Sequence, residues 1–161
     1  MSEPNMTTTD GRDVEEVRAE QQADGNRLHK SYIVLSDEER AKGYVRPVRA
    51  TYHHVGAPQP ANLRNLTDEE RERHAKWGYV KFQPYGPEQA PVTGRFYTQA
   101  QLDRVGKGCN RTTTMSSAIA ETYARDPGFY GATYCATCGE HFPVGEHGEF
   151  VWHGTDERVG T

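Results

Sequence analysis

Two cysteines three positions apart, Cys135 and Cys138, followed at once by Gly139, have the clearest capacity for chemistry in this sequence. A Cys-x-x-Cys turn points two thiolates and the neighbouring backbone amides at one tetrahedral ion, and the glycine lets the chain reverse without a Cβ clash. The only other cysteine, Cys109, lies upstream in Gly108-Cys109-Asn110. A closed structural zinc site needs four ligands. Cys109, Cys135 and Cys138 supply three. His141, three positions beyond Cys138, is the expected fourth because the short spacing keeps it at the turn, with His147 and then His153 as competitors. The expected cofactor is therefore structural Zn2+, and no catalytic residue is assigned.

Other chemistries fit these residues less well. A thioredoxin-like redox pair opens a helix after a buried strand, a context Cys135 and Cys138 lack. Zinc deaminases precede their Cys-x-x-Cys with His-x-Glu or Cys-x-Glu, whereas His74 is followed by Ala75-Lys76 and Cys109 by Asn110-Arg111. A hydrolytic site needs an open coordination position and a base, for which Glu140 or Glu146 is available, though either is equally a solvated loop carboxylate. His53 and His54 are adjacent, so on a strand they point to opposite faces and do not share an ion. Both are expected at the surface.

The elements that must position these groups are short. Tyr32 to Leu35 is a strand-length apolar run, and Ser36 and Glu39 have capping-box spacing before a one-turn helix that stops at Gly43. Thr67 and Glu70 repeat the box, with Glu69 and Arg73 as an i,i+4 pair. The two segments echo each other: Leu35-Ser-Asp-Glu-Glu-Arg40 leads to Gly43-Tyr44-Val45, and Leu66-Thr-Asp-Glu-Glu-Arg71 to Gly78-Tyr79-Val80. Recurrence of favourable caps explains this more simply than duplication. Residues 56–60 and 84–94 read as Pro/Gly-rich loops, 98–105 as a short helix, and 114–124 as a longer one ended by Asp126-Pro127. Phe129 to Tyr134 and Glu149 to Trp152 read as the two strands of a hairpin.

The chain has 161 residues and a hydrophobic fraction of 34%, which predicts one small α+β domain with a thin core that a metal would staple. Residues 1–25 hold seven acidic side chains against two basic ones, leaving a nearly neutral remainder. The expected organisation is a disordered acidic tail over 1–26, an α+β body over 27–105 and a metal-binding helix-hairpin module over 106–161. No apolar run is long enough for a membrane span, and the start lacks a secretory pattern, so a soluble cytoplasmic protein is expected. Arginines 46, 49, 64, 71, 73, 95, 104 and 111 are scattered among acids, so nucleic-acid binding is permitted by the charge pattern without being indicated.

The Cys135-Ala-Thr-Cys138-Gly139 element resembles the knuckle of zinc-ribbon proteins, without the second cysteine pair of an ordinary ribbon. With the Gly-Tyr-Val segments and the Pro-rich middle, it also resembles small proteins encoded in bacteriophage and prophage genomes. The resemblance implies a host-cell or virion setting. The expected function is a non-enzymatic, zinc-stabilised binding or assembly module with a protein partner. The alternatives are a zinc-dependent enzyme acting on nucleic acid or a nucleotide-type substrate, and a nucleic-acid-binding accessory protein.

Overall fold

The computed structural model describes residues 5–85 and 93–161. They form an α+β fold of short helices and small antiparallel sheets, divided into two compact units: residues 1–55 with 109–161, and residues 56–108.

The larger unit begins with β1 (Met6–Thr8), then α1 (Val14–Asp24), β2 (Ile33–Leu35), α2 (Asp37–Arg40) and β3 (Thr51–His54). The acidic start is thus ordered from Met6, correcting the expected tail. β1 pairs antiparallel with β2, and Val17 of α1 is fully buried. The acids that argued for disorder are partly neutralised within the segment. Arg12 meets Asp10 at 2.7 Å and Glu20 at 2.9 Å, and the Glu16 amide donates to Asp13 at the helix N-terminus.

Residues 56–108 leave this unit and return. They contain β4 (Arg64–Asn65), α3 (Asp68–Arg73), one 3-10 turn at Ala75–Trp77, β5 (Tyr79–Pro84), β6 (Gly94–Thr98) and α4 (Gln99–Asp103). The sheet order is β4-β5-β6. Both helices start in reciprocated capping boxes, Thr67 with Glu70 and Thr98 with Gln101, which satisfy amides the helix itself leaves orphaned. Part of the expected loop over 84–94 lies outside the described residues; Pro84 ends β5 and Gly94 opens β6.

The larger unit resumes with β7 (Thr112–Thr114), α5 (Ser117–Arg125), β8 (Ala132–Cys135), β9 (Glu140–Pro143) and β10 (Phe150–Trp152). One sheet has the order β10-β3-β7, and β8 pairs with β9 in another. The expected hairpin of residues 129–134 with 149–152 is therefore corrected: β10 pairs with β3, while β8 turns back directly through the Cys-x-x-Cys turn onto β9. The expected boundary near 105 is likewise displaced. β3 and the backbone of residues 110–114 run as one ladder, so residues 109–161 belong with the N-terminal elements.

The core of this unit is aromatic. Tyr52, Tyr123, Phe150 and Trp152 are buried together with Cys135 and Val159, and Phe150 and Trp152 both meet Tyr52 edge-on. Of the two echoed segments, the cap and the contacts of its arginine recur and the following strand does not. Arg40 and Arg71 each donate to the carbonyl of the leucine five residues earlier and pair with the aspartate three residues earlier, but Tyr79 begins a strand whereas Tyr44 and Val45 lie exposed in irregular chain. No helix among the described residues is long and apolar enough to cross a membrane.

Candidate metal centre

Four side chains converge in the larger unit: His54, Cys109, Cys135 and Cys138, their ligand atoms all within 4.8 Å of one another. His54 ends β3, whose alternation puts Tyr52 and His54 on the buried face and Thr51 and His53 on the other. Cys109 arrives beside it because the chain before β7 continues the ladder. The Asn110 amide donates to the His54 carbonyl at 2.8 Å, and the His54 amide to the Arg111 carbonyl at 3.1 Å. Asn110 adopts a left-handed conformation (φ 60°), tolerable for asparagine, at this bend.

Cys135 ends β8 and is fully buried, and Cys138 follows in the turn. The turn closes through the Gly139 amide donating to the Cys135 carbonyl at 2.8 Å, with Gly139 at φ 72°, where a Cβ would be strained. The Cys138 amide lies 3.5 Å from Cys135 Sγ, oriented as a donor, and the Ala136 amide donates to Thr113 Oγ1, tying the turn to β7. Each ligand is thereby held by backbone already committed to a sheet or turn.

The spacing suits a tetrahedral ion. Cys109 Sγ and Cys135 Sγ are 3.6 Å apart, as are Cys138 Sγ and His54 Nδ1. Zinc bonds of about 2.3 Å to sulfur and about 2.0 Å to nitrogen place such pairs about 3.8 and about 3.5 Å apart at the corners of a tetrahedron. The other imidazole nitrogen, Nε2, meets Glu149 Oε1 at 2.8 Å, and these side chains are only 1% and 5% exposed. Phe142 and Phe150 flank the ring at 4.5 and 4.8 Å. A carboxylate on Nε2 fixes the tautomer that presents a bare Nδ1 to the three sulfurs, the usual support of a metal-bound histidine.

The thiols do not titrate alike. Burial opposes ionisation of Cys109, but hydrogen bonds with the Arg111 backbone, His54, Cys135 and Cys138 outweigh it and hold its pKa at about 7. Burial, followed by the hydrogen bonds and charges of Cys135 and Cys109, pushes Cys138 up to about 12. Three thiols this close cannot all ionise without a cation among them, so a divalent ion would bind with release of protons.

His141 is not part of this group, which corrects its place as fourth ligand. Along β9 the side chains alternate. Phe142 packs against His54, so His141 must project from the opposite face. There it stacks on His29 at 4.5 Å, accepts or donates at Nε2 with the Tyr32 hydroxyl at 3.0 Å, and meets the Asn26 carbonyl through Nδ1 at 2.9 Å. His147 pairs with Glu146 and His153 is exposed, so neither competitor reaches the cluster. The candidate bases are likewise elsewhere: Glu140 accepts from Asn26, and Glu146 is held by His147.

Sequence reasoning missed His54 and Glu149. It placed the adjacent histidines on opposite faces and took both for surface residues, whereas one face is the core. The signal was the alternation Ala50, Tyr52, His54, which puts a histidine in phase with apolar positions. Comparison of the chain with protein-family models, curated proteins and solved structures finds no match.

Proposed function

We propose that this protein is a zinc-stabilised binding or assembly module whose metal centre folds the larger unit and performs no reaction. The observation that carries the reading is the buried His54–Glu149 contact, which leaves Nδ1 facing three cysteine sulfurs. Three sulfurs and one nitrogen in tetrahedral spacing favour zinc over harder cations, and four protein donors fill its shell, leaving no position for a reacting water. Glu149 fits a supporting role, since it contacts the far nitrogen of the imidazole.

A binding role, with a protein as partner, is supported by the segment after α2. Tyr44, Val45 and Val48 are all exposed there, in chain with no regular structure. Apolar side chains grouped along one irregular stretch offer a surface for another protein more readily than for a polyanion.

Metal analysis with thermal melting tests the central claim. The expected result is one zinc per chain and a marked fall in melting temperature in chelator. Less than half an equivalent of zinc, with melting unchanged by chelator, would sink it.

A further inference from the structure

The chain between α1 and β2, residues 25–32, carries no regular structure, and it is held to β9 chiefly through His141. The Asn26 carbonyl accepts from the His141 amide at 3.1 Å and lies 2.9 Å from His141 Nδ1. The Tyr32 hydroxyl meets His141 Nε2 at 3.0 Å, and the His29 ring stacks on the His141 ring at 4.5 Å. Asn26 also donates to Glu140 at 3.3 Å. The two ends are tied separately: the Gly25 amide donates to the Gln21 carbonyl of α1, and Tyr32 exchanges hydrogen bonds with Thr9. Residues 26–30 are therefore the part that β9 holds.

These bonds require a neutral His141. A carbonyl only accepts, so Nδ1 carries its hydrogen and Nε2 is bare. The Tyr32 hydroxyl donates to that nitrogen while accepting from the His29 amide at 3.3 Å. A proton added at Nε2 turns an acceptor into a donor and strips the Tyr32 hydrogen of its partner. It also sets an imidazolium against His29, whose side chain is only 12% exposed. The acids near His29 are Asp24, with Oδ2 3.8 Å from Nδ1, and Glu20, both on α1; burial and then His141 outweigh them and hold His29 below its ordinary 6.5. From β8, Tyr134 faces His141, and from the segment itself Tyr32 does.

We propose that the stacked His29 and His141 form an acid-sensitive latch, which holds residues 26–30 on β9 while both rings are neutral and releases them when the pair takes up protons. Because the docked segment disfavours the proton, docking is complete above about pH 6.5 and is lost as the pH falls below that value. His29, Tyr32 and His141 line a hollow of about 470 Å3 with Ile33, Phe129 and Tyr130, so release bares an apolar wall in acid. The latch is independent of the zinc reading, because neither histidine is among the four clustered ligands.

The test is NMR titration of the zinc-loaded full chain from pH 7.5 to 5.5, following the histidine rings and the backbone amides, with zinc content measured alongside. The amides of residues 26–30 should move together with the His29 and His141 rings, at a midpoint below 6.5, while those of β3 and β7 stay in place. Two variants should act in opposite directions. Tyr32→Phe removes the donor that favours a bare Nε2 and should raise the midpoint by about 0.5–1 pH unit. His29→Phe keeps a stacking ring without a charge to repel His141 and should keep the segment docked to lower pH. Rings that titrate while residues 26–30 stay docked would overturn the latch, as would two variants that behave like the parent. Movement of β3 and β7 in step with zinc loss would assign the acid response to the metal centre and overturn it equally.

Discussion

The two units solve the problem of a small core in different ways. Residues 56–108 use neighbours in sequence: β5 and β6 pair along a ladder from Tyr79↔Thr98 to Pro84↔Gly94, and the Phe82 ring meets Phe96 at a tilt, 4.7 Å between centroids, with the Arg64 guanidinium 4.5 Å from the Phe82 centroid. Gly94 is needed there because a Cβ would meet the Phe82 ring and the Gln83 carbonyl at well under 3 Å. The larger unit instead gathers residues from far apart. His54, Cys109 and the Cys135–Cys138 turn meet only after three separate segments have folded back on one another. Ladders between near neighbours close small loops, whereas distant segments must overcome a larger ordering entropy before any contact forms. A metal ion suits the second case, since one ion ties all three segments at once.

The largest test of this contrast is removal of the metal. Structural zinc contributes on the order of 10–16 kcal/mol of binding energy in small domains. Chelation, or His54→Ala, should therefore strip amide-exchange protection from β3, β7 and β8 while the β5–β6 ladder keeps its own. Simultaneous loss from both units would break the comparison. Phe82→Ala is the reciprocal experiment. A buried phenylalanine truncated to alanine costs about 3–5 kcal/mol, so this variant should lose protection in residues 56–108 and retain a full equivalent of zinc.

Glu149→Gln tests the support of the imidazole. Loss of such a carboxylate costs about 10–100-fold in metal affinity, and competition with a chromophoric chelator measures it. Unchanged affinity would mean that Glu149 is a packing residue only.

A smaller effect concerns acid. Arg64 donates to Glu70 at 2.8 and 3.0 Å and holds its carboxyl at about 2, below the ordinary 4.5. The depressed value means that the folded unit disfavours protonation. This contribution is complete above about pH 4.5 and is lost as the pH falls toward 2. Exchange in residues 56–108 should rise over that window in the parent, and Glu70→Gln should flatten the dependence. The smallest expected change comes from His141→Ala, which should leave zinc stoichiometry and affinity as they are. A loss of zinc in this variant would return His141 to the metal shell.

Much of the local structure was legible because its causes are local. The capping box at Thr67 depends on residues three positions apart, and Ser36 caps its one-turn helix by the same rule, with its hydroxyl accepting from the Glu39 amide. The acidic start misled because composition does not reveal that Arg12 draws Asp10 and Glu20 together or that Val17 finds a core to enter. The Glu149 to Trp152 segment was read as a strand but matched with Phe129 to Tyr134, whereas it pairs with β3: strand propensity says that a segment pairs, and the tertiary fold chooses with what.

The metal centre divides in the same way. Sequence alone determined the Cys135–Cys138 turn and its glycine, because spacing within a turn fixes where two side chains can point. Nearness in sequence then favoured His141, but β9 carries Phe142 toward the cluster and His141 away from it. His54 could be chosen only when β3 was placed beside residues 109–114 with its buried face inward. Alternation decides which side of a strand a residue occupies, and only the packing of strands decides which side holds the site.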